Sequence, residues 1–297
     1  MRIALIGATG QLGTDLAKIL PGDGIEVVSL AHRQIELSSD QSVSDRLNET
    51  APDLVINCAA FNLVDQAESE PVRAYEVNSL GPRRIAHWCT SHSATLVHFS
   101  SDYVFGLDPD HGRPRSEIDA PGPQSAYAAS KLQGEYYVRS LCPESYILRT
   151  CGLYGLAAFR GSGGGNFVET MIRLGRTRDR LTVVHDQHCT PTSTVDLAAA
   201  TVALIGTGAY GLYHVTNSGA TTWHDFAAEI FRREAIEVEL TPITSAEFGA
   251  AAARPLCSVL DTSRIESAIG RPMPAWQDAL QRYLDTRRSL TLDRETA

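Results

Sequence analysis

Arg2-Ile3-Ala4-Leu5-Ile6-Gly7-Ala8-Thr9-Gly10-Gln11-Leu12-Gly13 is the stretch that decides the fold. A short, mostly apolar run ends at a glycine, as expected of a strand covered on both faces. Glycines then recur at every third position, and a helical pattern runs over 11–20. In such a strand–turn–helix the first glycine permits a tight turn, the second lets a ligand approach the backbone, and the third lets helix and strand pack closely. The helix start offers unpaired N–H groups and a partial positive charge to an anion. Alone the string is a modest signal, because glycines also punctuate plain turns.

The same rhythm continues outward. Strand patterns cover 25–30, 53–57, 95–99 and 146–149, and helical ones cover 40–50, 71–91 and the stretch from Tyr127 to about 140. Pro71 suits a first helical turn. Strands alternating with helices imply βαβ crossovers and an α/β fold, a Rossmann-like, doubly wound, mostly parallel sheet. After Arg149 the pattern loosens. A glycine-rich stretch at 161–165 precedes a helix from Asn166. Short strands (181–185, 211–215, 237–241) then alternate with helices (193–205, 222–234, 274–286). The expected organisation is a dinucleotide-binding domain over 1–150, a smaller C-terminal α/β substrate-binding lobe over 151–286 with segments returning to the main sheet, and a polar tail over 287–297 whose last ten residues are frayed.

Composition narrows the function. The chain has 297 residues, 43% hydrophobic and 21% charged, as in ordinary globular proteins. Its formal net charge of −9 gives it no general affinity for nucleic acid or anionic membranes. The six cysteines form no C-x-x-C pair and no zinc spacing, which suits reduced, buried thiols, and no metal is expected. No apolar run approaches the ~20 residues of a membrane span. The N-terminus enters a strand pattern without signal-peptide features, so the expected location is the cytoplasm. A homodimer is left open.

A second stretch, Ser125-Ala126-Tyr127-Ala128-Ala129-Ser130-Lys131, carries chemistry. Spacing i, i+4 puts Tyr127 and Lys131 on one helical face. A free tyrosine has a pKa near 10, and a neighbouring ammonium favours its phenolate. The pair is therefore expected to act as a tuned acid, with Lys131 also in reach of ribose hydroxyls. An ordinary exposed helical pair is the alternative. Phe99-Ser100-Ser101-Asp102-Tyr103-Val104-Phe105 ends the fourth strand, and ligands of open parallel sheets lie beyond strand C-termini. Ser101 can hydrogen-bond a substrate carbonyl while Tyr127 protonates it; alternatively, both serines cap the turn. A glycine loop for a dinucleotide and a Tyr/Lys pair for a proton together describe hydride transfer from a nicotinamide.

An NAD site usually carries an acid ~20 positions after the glycines, bonded to the ribose 2′-OH. Here the second strand ends Leu30-Ala31-His32-Arg33, without the acid. Arg33 can face a 2′-phosphate, which favours NADPH over NADH; a solvated arginine is the alternative.

These residues resemble the extended short-chain dehydrogenase/reductase superfamily, and within it the nucleotide-sugar reductase branch, the dTDP-4-dehydrorhamnose reductase family. The resemblance covers nearly the whole chain. It is carried by Gly7 to Gly13, by Asn57-Cys58-Ala59-Ala60-Phe61-Asn62-Leu63-Val64-Asp65-Gln66-Ala67-Glu68, by Ser100 to Phe105, by Tyr127 and Lys131 with Gly134-Glu135, and by Asn166-Phe167, Asp186-Gln187, Pro191-Thr192 and Arg254-Pro255. It implies reduction of dTDP-4-dehydro-L-rhamnose to dTDP-L-rhamnose. Tyr127 would be the general acid, Lys131 its tuner and Ser101 the carbonyl partner. Gly10, Gln11, Leu12, Glu36, Leu37, Ala59, Ala60 and Phe61 would line the cofactor. Ser101, Asp102, Val64 and Asn166 would meet the nucleotide sugar. Ser101 replaces the family's threonine, Ala128 a glycine, and Gly152 stands where relatives often carry a tryptophan against the substrate.

Other readings are open. A dehydratase of this superfamily needs an Asp-Glu pair, but Asp102 is followed by Tyr103. An epimerase would retain its cofactor through turnover. Another sugar ketoreductase would share the same residues. A non-catalytic NADP-binding regulatory subunit has no need of Ser101, Tyr127 and Lys131. His185 and His188 offer no third metal ligand. Trp223 and Trp276 are expected to pack the second lobe, and Arg173, Arg176, Arg178 and Arg180 to form a solvated face.

Overall fold

A computed structural model describes residues 1–107, 112–159 and 165–295, with side chains to 291. The glycine-rich stretch read at 161–165 lies outside the described residues except for Gly165, as do 108–111 of the loop after Phe105. Five strands form where apolar runs predict them: β1 (Arg2–Ile6), β2 (Glu26–Leu30), β3 (Leu54–Asn57), β4 (Thr95–Ser101) and β5 (Ser145–Thr150). Then come β6 (Leu153–Tyr154), β7 (Arg180–Val184), β8 (His188–Cys189), β9 (Thr192–Ser193), β10 (Gly211–His214), β11 (Thr221–Thr222) and β12 (Glu239–Ile243). The main sheet has the order β10-β5-β4-β3-β1-β2, and each of its pairings is parallel. The strand order reverses beside β1, the place where open α/β sheets bind ligands at their carboxyl edge.

Alternate residues of each strand serve opposite faces. Ile3, Leu5, Leu54, Ile56, Val97 and Leu148 pack under α1 (Gln11–Ile19) and α9 (Thr194–Ile205). Ala4, Ile6, Val55, Leu96 and Ile147 pack under α2 (Asp40–Thr50), α5 (Gly81–Ser91) and α6 (Ala126–Leu141). Burial on both faces explains why these strands read as unbroken apolar runs. Between β3 and α5 lie α3 (Val64–Ser69) and α4 (Pro71–Tyr75), and beyond β6 lie α7 (Leu156–Phe159) and α8 (Phe167–Gly175). A separate core of Tyr154, Val168, Phe226, Trp276 and Leu280 joins α8 to α10 (Trp223–Glu234) and to the last helix. With α11 (Ser245–Phe248) and α12 (Ser263–Ile269) before it, that helix is α13 (Trp276–Glu295).

The stretch 71–91 is helical throughout, with α4 passing through a π turn, Glu76–Leu80, into α5. There Asn78 is buried and bonds the chain at Phe61, through Phe61 N to Asn78 Oδ1 (2.8 Å) and Asn78 Nδ2 to Phe61 O (2.9 Å). Such π turns often mark functional sites. One expectation needs correction. The last ten residues are not frayed at their start, because the helix continues to Glu295; just before them Arg287 is buried with its guanidinium on Glu169 at 2.8 Å.

Among the described residues no helix is long and apolar enough to cross a membrane. Two of the most deeply buried charges form a pair. Arg149 on β5 and Glu135 on α6 are 2% and 1% exposed and form a bidentate pair at 2.9 and 2.7 Å. Removing one partner strands the other in the interior. Arg149→Met is expected to cost about 3–5 kcal/mol in urea denaturation, and adding Glu135→Leu to recover much of it. A single variant within 1 kcal/mol of wild type (about the scale of an exposed pair) would contradict this.

Candidate active site

The glycine loop is built as its spacing requires. Gly7 has φ +77°, and a Cβ there would lie 2.9 Å from Ala59 N. At Gly13 a Cβ would lie 2.2 Å from Gly7 O, so helix and turn touch only because the side chain is missing. Gly10 caps α1 without a side-chain bond, which leaves the helix amides free to meet an anion.

A cleft of ≈ 1330 Å³ runs from this loop along the carboxyl ends of the strands. It is lined by Gly7, Gly10, Gln11, Leu12 and Gly13, by Glu36 and Leu37 after β2, by Ala59, Ala60, Phe61 and Val64 after β3, and by Ser101, Asp102, Tyr127 and Lys131. The side-chain-free loop and open helix end fit a dinucleotide's pyrophosphate. Nearly all the residues singled out from the sequence for a cofactor and a ketone therefore meet in one cleft.

Two do not. Arg33 is exposed and outside the lining. The turn after β2, closed by Gln34 N to Ala31 O at 2.8 Å, gives the cleft His32 instead, and Arg73 lines it from α4. Asn166 is buried behind the cleft. Its Oδ1 accepts Glu169 N (2.9 Å) to cap α8, and its Nδ2 donates to Gln11 Oε1 (3.0 Å) and Gly155 O (3.2 Å). It joins the glycine loop to α8 and is not among the residues that line the cleft. Gln11 likewise spends its carbonyl on Asn166 and on Gly155 N at 2.8 Å. The Asp102 carboxyl, expected to meet the sugar, is 2% exposed and accepts the Ser101 hydroxyl at 3.1 Å. It also lies against Cys151 and Ser258, and burial raises its pKa.

Ser125 caps α6 by accepting Ala128 N at 3.2 Å, and Glu68 Oε1 accepts Ala126 N at 2.8 Å. These bonds aim the first turn, with Tyr127, at the end of β4. The phenol lines the cleft beside Ser101, whose hydroxyl acts to lower its pKa. It stands edge-on to Tyr103, ring centroids 6.0 Å apart. Lys131 is 3% exposed and gives its Nζ to Phe99 O at 2.6 Å. The expected lowering of the phenol by this ammonium is not what the electrostatics give. Burial pushes Tyr127 up to about 12, with Ser101 opposing and Asp102 adding to the rise. The Lys131 ammonium is pushed down to about 8 by burial, against the pull of Glu135. The i, i+4 spacing set the shared face, but not that the lysine would turn to the strand carbonyl.

The sequence reading missed three supporting residues. Asn78 donates to Ser130 Oγ at 3.1 Å and so ties α6 to the π turn. Thr150 is the register partner of Ser101 and lines the cleft. Trp223, expected only to pack the second lobe, also lines the cleft, lying over Gly152. A helical aromatic far along the chain carries no signal of such a position. Among the described residues no cluster of three or more His, Cys, Asp or Glu could hold a metal.

Fold and site together define an NAD(P)-dependent oxidoreductase of the short-chain dehydrogenase/reductase type. More narrowly, the chain belongs to the RmlD substrate binding domain family, whose model matches residues 1–289. It is 40% identical over 286 residues to a dTDP-4-dehydrorhamnose reductase of Streptomyces griseus, covering 94% of this chain and 91% of that protein. The crystal structure of a dTDP-4-dehydrorhamnose reductase from Clostridium acetobutylicum superposes with a TM-score of 0.91 at 42% identity, covering 97% of this chain and 100% of the other. That of the Bacillus anthracis enzyme in complex with NADP does so with 0.89 at 37% identity, covering 96% and 99%.

The lysine offers a test by titration. Its folded value of about 8 lies below the ordinary 10.5. Within that window the unfolded chain holds a proton that the folded chain has lost, so this group adds stability as pH rises. The unfolding free energy of wild type relative to Lys131→Met is expected to climb from about pH 8 to 10.5. A flat or falling difference would contradict the burial of the ammonium.

Proposed function

We propose that this chain reduces the 4-keto group of a nucleotide-activated deoxysugar, dTDP-4-dehydro-L-rhamnose, to give dTDP-L-rhamnose. The observation that carries the reading is the meeting of Ser101 and Tyr127 at the end of β4, in the cleft that begins at the glycine loop. Bound NADPH would supply the hydride to the carbonyl carbon. The names of the relatives support the sugar, and the NADP complex of the Bacillus anthracis protein supports the phosphorylated cofactor.

The side chains divide the remaining work. Tyr127 gives its proton to the carbonyl oxygen as that oxygen gains charge, and regains one from solvent between turnovers. A phenol held up at about 12 stays protonated at neutral pH, the form a reductase needs. Ser101, its hydroxyl turned from Asp102 Oδ1 to the substrate, donates a second hydrogen bond to the same oxygen, and Lys131 places a cation near the site where the phenolate forms. Gly7, Gly10 and Gly13 with the start of α1 would hold the pyrophosphate of the bound cofactor. Glu36, Leu37 and His32 stand at the adenosine end, and Ala59, Ala60 and Phe61 along the middle. The segments of 151–286 outside the main sheet form the sugar side, with Val64 opposite them.

The test supplies dTDP-4-dehydro-L-rhamnose and follows NADPH loss. Tyr127→Phe is expected to lower kcat by at least ~100-fold, the low end for a positioned acid. The KM for NADPH should stay within about twofold, since the lost hydroxyl acts mainly in the transition state. Equal rates would remove Tyr127 from the mechanism.

A further inference from the structure

The far wall of the cleft is made by a residue that the reaction as described does not use. Trp223 opens α10, where Thr222 caps the helix by accepting Asp225 N at 3.0 Å. Its indole packs against Phe167, ring centroids 4.7 Å apart, and Phe167 in turn stacks on the fully buried Phe226 at 5.7 Å. Aromatic partners behind it thus pin the half-buried ring. Its other side lies over Gly152, where an added Cβ would stand 2.9 Å from the indole Cη2. The benzene end of the indole fills the space that a side chain at 152 would need. Gly152 has φ +51°, so the backbone itself also disfavours any other residue there.

The position is close to the chemistry. Gly152 follows two residues after Thr150, and Thr150 is the strand partner of Ser101. Gly152, Leu153 and Trp223 line the same cleft as Ser101, Thr150 and Tyr127. A deoxyhexose ring has an apolar side of C–H bonds and a methyl group. Packing it on an indole removes apolar area from water and sets C–H groups toward the negative face of the ring system. Trp88 and Trp276 sit in the two cores and do not line the cleft.

We propose that Trp223 is the specificity-determining residue of the sugar subsite, and that bare Gly152 lets its indole reach the sugar. This deepens the ketoreductase reading and rests on it. With dTDP-4-dehydro-L-rhamnose and NADPH, Trp223→Ala is expected to raise the KM for the ketosugar at least ~10-fold, the effect of losing about 1.4 kcal/mol of binding. The KM for NADPH should stay within about twofold, and Trp223→Phe should recover most of the loss, since a smaller ring keeps part of the apolar contact. Gly152→Ala should raise the same KM by displacing the indole. In a Trp223→Ala background it should add little, because the two changes remove one contact. A ketosugar KM within about twofold of wild type in the soluble variants, or an equal rise in both KM values, would overturn the proposal. Tryptophan emission gives an independent readout. Adding dTDP-L-rhamnose should change it far more than dTDP alone, and a response equal for the two ligands would overturn the placement. Wild type that binds dTDP-L-rhamnose with this response yet oxidises no NADPH with the ketosugar would count against the ketoreductase reading and leave the sugar subsite standing.

Discussion

The ammonium of Lys131 bonded to the Phe99 carbonyl fastens α6 to the last residues of β4, and the site depends on that attachment. One turn further on, Glu135 takes the Ser100 hydroxyl at 2.5 Å and the Arg149 guanidinium, so one helix face holds two neighbouring strands. Between these anchors Gly134 presses on the π turn, where a Cβ would come within 2.2 Å of Asn78 O. Helix, strand ends and π turn therefore have little freedom to slide. Tyr127 at the start of the helix and Ser101 at the end of the strand meet because their anchors are shared. A buried network of this kind is costly unless every member is satisfied, which favours one arrangement over near alternatives.

The electrostatics follow from the same burial. A chain with a net charge of −9 places few cations in its cleft, and the local helix start and Lys131 stand in for a basic surface. Desolvation acts oppositely on the two groups of the pair, raising the phenol and lowering the ammonium. Both effects favour the neutral form of each group. A proton given up by the phenol leaves an anion that the neighbouring cation can hold, which makes the lysine most useful after transfer has begun.

The fold was legible because its signals are local. Strands covered on both faces must be apolar throughout, and the glycines at 7 and 13 each answer a contact that a Cβ would break. The line of residues on the carboxyl edge was legible for a related reason: topology alone puts Gly10, Ala59 and Ser101 there. What failed was side-chain direction. Arg33 and His32 are adjacent in sequence, and only the turn that follows β2 decides which of them the cleft receives. Asn166 carries a helix-cap pattern as well as a family match, and the cap accounts for its geometry. Asn78 breaks no periodicity, so the π turn around it left no trace in the apolar pattern. Trp223 reaches the cleft through packing between distant segments, which no spacing along the chain encodes.

In the proposed reaction the carbonyl carbon receives its hydrogen from the nicotinamide and the oxygen receives its proton from Tyr127. The fate of isotopic label decides between this and other routes. NADPH carrying deuterium at the transferable position of its nicotinamide is turned over with dTDP-4-dehydro-L-rhamnose, and the product is read by NMR. Deuterium is expected at sugar carbon 4 from labelled NADPH, and none at that carbon when unlabelled NADPH is used in D2O. Deuterium at carbon 4 drawn from solvent would contradict the proposed reaction.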